Sequence, residues 1–188
     1  MMTLLVLVII FAIFALNFFS KKQNATSNIG ESFSLIDQNG NMFFSKNTKK
    51  KKLIYFGYTY CPDICPFDLM RNAQVVELLK NENIKIKPIF ITLDPKRDTL
   101  ETLKEYTDFH HNDMVGLTGS ENDIQKIKDI FMVYSQMPND LSGDYILNHS
   151  TFTYFVLPEI GLTTYFTRKD KVKKISDTVK CILKNINS

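Results

Sequence analysis

Tryptophan is missing from this 188-residue chain, and cysteine, histidine and arginine occur three times each. Three cysteines cannot build an all-disulfide framework, so the fold has to rest on a packed core. Fifteen Phe and eight Tyr supply the material for one, and 44% apolar with 23% charged residues is ordinary for a folded domain. Charge of one sign is also scarce: the net value is only +3, and no long basic stripe with interleaved aromatics is present. Nucleic acid is therefore not an expected partner. No internal repeat occurs, and the length suits one domain plus an appendage.

The first stretch, MMTLLVLVIIFAIFALNFF, lacks charge altogether. At ~1.5 Å per residue its roughly eighteen uncharged residues just cross a hydrocarbon core of about 30 Å. It also lacks the basic leader and the small-residue cleavage site of a secretory signal. Residues 1–20 are expected to be a single transmembrane anchor, 21–29 a polar linker, and 30–188 the globular domain. Lys21 and Lys22 just after the apolar run give a weak vote for a cytoplasmic domain.

In the domain, apolar alternation around QNGN predicts a hairpin that ends with Met42–Phe44. TKKKK at 48–52 reads as a solvated loop with anionic lipid as a conceivable contact. LIYFGY (53–58) and IKIKPIFITL (84–93) read as buried strands, and 65–81 as a helix with Pro66 in its first turn. Asp98 and Glu101 form a capping-box start for a helix with Leu100, Leu103, Tyr106 and Phe109 on one side. MVGLTG (114–119) is a third strand, and Ser120 caps a helix to 131. After a polar loop at 136–144 come strands near 151–157 and 162–167. A last helix, about 170–186, aligns Val172, Ile175, Val179, Ile182, Leu183 and Ile186. Strands alternating with helices, then a hairpin and a closing helix, predict an α/β sheet covered on both faces. With a cysteine pair where the first buried strand meets its helix, the fold class is α/β, thioredoxin-like, with an N-terminal β-hairpin.

Cys61 and Cys65 stand in YCPDICP at that strand–helix junction, where unpaired N–H groups lower thiol pKa values. Thiolates serve both metal binding and thiol exchange. A C-x-x-C pair followed by a proline before the facing strand would signal a redox enzyme. Here one more residue widens the loop, and His149 stands where that proline would be. Two thiolates and an imidazole make a soft-to-borderline donor set: thiolates select Cu(I), and the nitrogen makes Cu(II) tolerable. Structural zinc wants four closed ligands, and only three candidates converge. Thiol–disulfide exchange needs only Cys61 and Cys65 and stays open. No further acid–base set argues for a small-substrate enzyme. His110 and His111 read as capping groups at the end of their helix, and Cys181 as an idle thiol facing away from an apolar stripe.

FGYTYCPDICP (56–66), TLDPKRDT (92–99), GLTG (116–119) and DYILNHS (144–150), in that order, resemble the four sequence blocks of the SCO/SenC family. Its members are membrane-anchored copper proteins that serve cytochrome c oxidase assembly. The resemblance implies a thioredoxin-like domain with Cys61, Cys65 and His149 as copper ligands, and copper as Cu(I) or Cu(II) for cargo. It implies delivery to the copper-bearing subunit of the oxidase at its CuA site, with other copper chaperones as further partners. The alternative within the family is reduction of that site's cysteines. The resemblance also implies a domain on the periplasmic side of a bacterial inner membrane, against the vote of Lys21 and Lys22. Two positions depart from the family pattern: Asn148 replaces a common Asp, and Leu157-Pro158 stands where Asp-Pro is usual. An Asp beside His149 would hold the imidazole through a carboxylate, so Asn148 is expected to weaken Cu(II) binding.

Overall fold

Strand β3 (Lys51–Gly57) lies inside the sheet, because a run of apolar and aromatic residues can be covered on both sides at once. It pairs in parallel with β4 (Ile86–Thr92) and antiparallel with β8 (Thr153–Leu157). Around these, β1 (Ser34–Asp37), β2 (Met42–Phe44), β5 (Val115–Thr118) and β9 (Gly161–Phe166) complete a seven-stranded mixed sheet ordered β2-β1-β5-β4-β3-β8-β9. This computed structural model describes residues 32–139 and 145–187. The expected anchor at 1–20 and linker at 21–29 lie outside them. Among the described residues no helix is long and apolar enough to cross a membrane.

Four helices cover the sheet: α1 (Ile64–Asn81), α2 (Leu100–His110), α3 (Glu121–Phe131) and α4 (Val172–Asn187). Side chains alternate along a strand, so Tyr55 and Phe90, paired across β3 and β4, share one face. Phe90 meets Tyr106 of α2 there, with ring centroids 5.3 Å apart. On the same face, Leu53 joins Val75, Val76 and Leu79 of α1 and Ile175 and Val179 of α4 in one apolar cluster. Phe56 points the other way, onto Phe131 of α3, at 5.5 Å. Both faces are covered, as the alternation of elements predicts.

The hairpin forms where QNGN predicts it. Asp37 Oδ1 accepts from the N–H groups of Asn39 and Asn41, and Gly40 takes the left-handed φ of 82° that closes the turn. Ser120 caps α3 by accepting from Asp123 N–H, also as predicted.

Several expectations fail locally. Lys51 and Lys52 are strand rather than loop; Lys52 is only 2% exposed and its ammonium donates to the Thr48 carbonyl. Burial lowers its pKa, and the long aliphatic stem packs while the head reaches a backbone acceptor. Thr99, not Asp98, caps α2, since its hydroxyl accepts from Thr102 N–H. Phe109 is 83% exposed, so the predicted stripe on α2 ends before its last turn. A two-residue ribbon, β6 (Ser135–Gln136) with β7 (Asn148–His149), lies apart from the main sheet and has no counterpart in the sequence reading.

Candidate metal centre

The Cys61–Cys65 loop leaves β3 at its carboxyl end, the customary place for a site in an α/β sheet. Asp63 precedes α1 but its side chain caps nothing. The sulfur of Cys61 does so instead, 3.5 Å from the N–H of Cys65. An anion there is favoured by the unpaired amides and the helix dipole. Cys65, in the first turn of α1, is fully buried, whereas Cys61 retains 9% exposure. Gly57 makes room for it: a methyl group on Gly57 would lie 2.9 Å from Cys65 Sγ and 3.0 Å from the Phe90 ring.

His149 reaches the pair from the ribbon. Its register partner is Ser135, and its Nε2 lies 3.5 Å from Cys65 Sγ. Nδ1 is 2.9 Å from the Ser150 carbonyl, which can only accept, so Nδ1 holds a proton and Nε2 is the nitrogen that faces the sulfurs. The ring stands edge-on to Tyr58 at 5.9 Å. The ligating atoms of Cys61, Cys65 and His149 all lie within 4.8 Å of one another. Three donors about 2.0–2.3 Å from a shared ion stand roughly 3.3–4.0 Å apart, so closing the set needs a shift of about an ångström. Among the described residues no other group of His, Cys, Asp or Glu converges in this way.

The two thiols are free and unequal. Cys61 is held well below the ordinary thiol range, first by the thiol of Cys65 donating to it, then by His149 and by backbone amides, against the cost of burial. Cys65 is pushed up by that same bond, by burial and by the Cys61 charge. The pair shares one proton, with the anion on Cys61. Tyr58, beside it, is raised to about 12 by burial and the neighbouring thiolate. Cys61 and His149 line an open pocket of about 150 Å³ with Tyr58, Pro62, Ile146 and Leu147. Cys65 is fully buried and takes no part in the lining.

The other singled-out residues lie elsewhere. The ring of His110 packs on Tyr106 at 4.7 Å with its Nδ1 buried and unbonded, and His111 bonds Glu77 of α1 at 2.9 Å. His111 is the C-cap of α2, as expected, but through its backbone N–H on the Thr107 carbonyl; neither ring reaches a carbonyl. Cys181 is exposed on α4, as predicted. Asp98, expected as a helix cap, instead has a buried carboxylate that accepts from Thr59 N–H and Oγ and from Thr92 Oγ, tying the cysteine loop to the turn after β4. The sequence reading missed Asp68, buried behind the site between Tyr55 and Arg71. A charged residue inside a mostly apolar helix stripe was the available signal for Asp68.

A sequence profile of the SCO1/SenC family matches residues 21–184. The chain belongs to the SCO1/SenC family. An SCO2-like protein of Rickettsia felis is 43% identical over 155 residues, 81% of this chain and 76% of that protein. Among solved structures, Arabidopsis thaliana ScoI with copper bound aligns with a TM-score of 0.78 at 33% identity, covering 84% of this chain and 99% of the other. Yeast Sco1 with copper bound aligns at 0.77 and 36%, covering 83% and 88%. Within the described residues this SCO1/SenC chain has the thioredoxin-like α/β fold of these structures.

Proposed function

We propose that the chain is a copper carrier: Cys61, Cys65 and His149 hold the ion, and the oxidase's copper-bearing subunit receives it. Residues 1–20 anchor it as a single pass in a bacterial inner membrane, with the domain on the periplasmic side. One observation carries the reading: two sulfurs and an imidazole nitrogen converge beside an open pocket, and among the described residues no fourth His, Cys, Asp or Glu joins them. The donors fit copper, since paired thiolates suit Cu(I) and the added nitrogen accommodates Cu(II). With Cys61 and His149 at the pocket and Cys65 beneath, an incoming thiolate of the acceptor replaces the outer ligands first and the buried sulfur last.

The unequal thiols favour a second reading, reduction of a target disulfide. The Cys61 thiolate attacks one target sulfur and expels the other as thiolate. Cys65 then gives up its proton to that leaving group and attacks Cys61, expelling the second target sulfur as a thiolate that water protonates and leaving a Cys61–Cys65 disulfide, which a thioredoxin-type dithiol donor re-reduces.

His149→Ala and Cys61→Ser separate the two. Copper transfer is expected to fail in both variants, while disulfide reduction survives in His149→Ala and fails in Cys61→Ser. If His149→Ala binds Cu(I) and Cu(II) as tightly as the parent, measured by titration, the three-ligand site is wrong.

A further inference from the structure

The arm that carries His149 is fastened at a point the copper reading does not use. β6 and β7 pair through only two residues each, Ser135 with His149 and Gln136 with Asn148, too few for a ribbon to hold itself in water. Four residues before His149, the Tyr145 ring lies under the Arg97 guanidinium, with Cζ 3.4 Å from the ring centroid. Arg97 Nε is 2.5 Å from Asp94 Oδ2, and the Tyr145 hydroxyl donates to Asp94 Oδ1 at 3.0 Å. Asp94 is fully buried in the turn after β4, so both of its oxygens are spent on this contact. Leu147 N–H then donates to the Tyr58 hydroxyl at 3.2 Å, and Tyr58 lies between Arg97, at 5.7 Å, and the His149 ring, at 5.9 Å.

We propose that Asp94, Arg97 and Tyr145 form a clamp that positions the His149 arm over the thiol pair and so sets whether the chain holds Cu(II) as well as Cu(I). The inference rests on the copper reading above. The turn after β4 fastens both halves of the site: Asp98 takes the cysteine loop through Thr59, and Asp94 with Arg97 takes the histidine arm through Tyr145. Cut loose from Tyr145, the imidazole keeps only the two-residue ribbon, the Ser150–Tyr134 contacts and the Leu147–Tyr58 bond, and its reach becomes more variable. The sulfurs stay where β3 and α1 hold them. Two thiolates suffice for Cu(I), whereas Cu(II) draws on the nitrogen, so the oxidation states respond differently. Arg97, Asp94 and Tyr145 touch no ligating atom; they are positioning residues.

The test uses the full chain with Tyr145→Leu, which removes ring and hydroxyl, and Tyr145→Phe, which keeps the stack and drops only the bond to Asp94. Each is made alone and together with His149→Ala. Cu(II) is titrated through its thiolate charge-transfer absorption and the nitrogen hyperfine splitting of its electron paramagnetic resonance. Cu(I) is titrated against a chromophoric chelator. Tyr145→Leu is expected to weaken Cu(II) at least tenfold and remove the nitrogen splitting, to change Cu(I) affinity less than threefold, and to have no further effect on Cu(II) once His149 is Ala. Tyr145→Phe falls between parent and Tyr145→Leu. Parental Cu(II) affinity and splitting in Tyr145→Leu overturns the clamp while leaving the ligand set intact. So does an equal loss with and without His149, which would mark a general loosening of the domain. If His149→Ala alone keeps parental Cu(II) binding, the ligand assignment itself fails and the clamp falls with it.

Discussion

Cys61 and Cys65 are chemically identical side chains made different by where the backbone leaves them. One caps a helix at the rim of a pocket and carries the charge; the other is sealed under the sheet and carries the proton. Gly57 is what allows the sealed sulfur to lie flat against β3. A Gly57→Ala substitution therefore has to push Cys65 or the Phe90 ring aside, and overpacking of this kind costs about 1–3 kcal/mol. It should lower the urea midpoint and weaken Cu(I) and Cu(II) together, in contrast to His149→Ala; unchanged Cu(I) affinity in Gly57→Ala would refute the role given to Gly57. At this scale the three candidate ligands were legible because a thiol pair at a strand–helix junction and an imidazole ahead of the facing strand have few other uses. Beside Asn148, the Ser150 carbonyl holds Nδ1 of the imidazole, and that bond needs no side chain. Tyr58, Asp94 and Arg97 were not legible, because their partners lie far along the chain, Leu147 89 residues from Tyr58 and Tyr145 51 residues from Asp94.

Helix α2 shows why elements were easier to recognise than their edges. Its start is legible, yet Asp98 and Thr99 are equally good caps in isolation, and burial of Asp98 on Thr59 and Thr92 decides for Thr99. Its end carries His110, whose pKa burial lowers. The sign follows directly: unfolded His110 takes up its proton near the ordinary value of about 6.5, and the folded state resists it. The contribution to stability is complete above that value and is lost as pH falls below it toward the folded pKa. Urea midpoints measured at pH 7.5 and 5 should therefore converge in a His110→Phe variant relative to the parent. An acid-limb slope identical in both would remove His110 from the account. β3, β4 and α4 were read from apolar runs that tolerate little else, whereas the ribbon of β6 and β7 carries no periodic signal and exists because Tyr134 and Ser150 exchange backbone and hydroxyl contacts.

Across the whole molecule, a mixed sheet brings residues 61, 65 and 149 to one end by pairing β3 in parallel with β4 and antiparallel with β8. The β8 pairing starts at Thr153 opposite Tyr55, so the segment just ahead of it returns over the cysteine loop. That crossing of the sheet follows from element order, which the alternation of strands and helices made readable; the distance at which the imidazole stops does not, because it depends on contacts from the turn after β4. The account stands or falls on the copper shell that this topology assembles. X-ray absorption at the copper edge of the Cu(II)-loaded full chain measures it most directly. Two sulfur neighbours and one imidazole nitrogen are predicted, with the imidazole signal vanishing in His149→Ala. A shell without sulfur, or an imidazole signal that persists in His149→Ala, would contradict it.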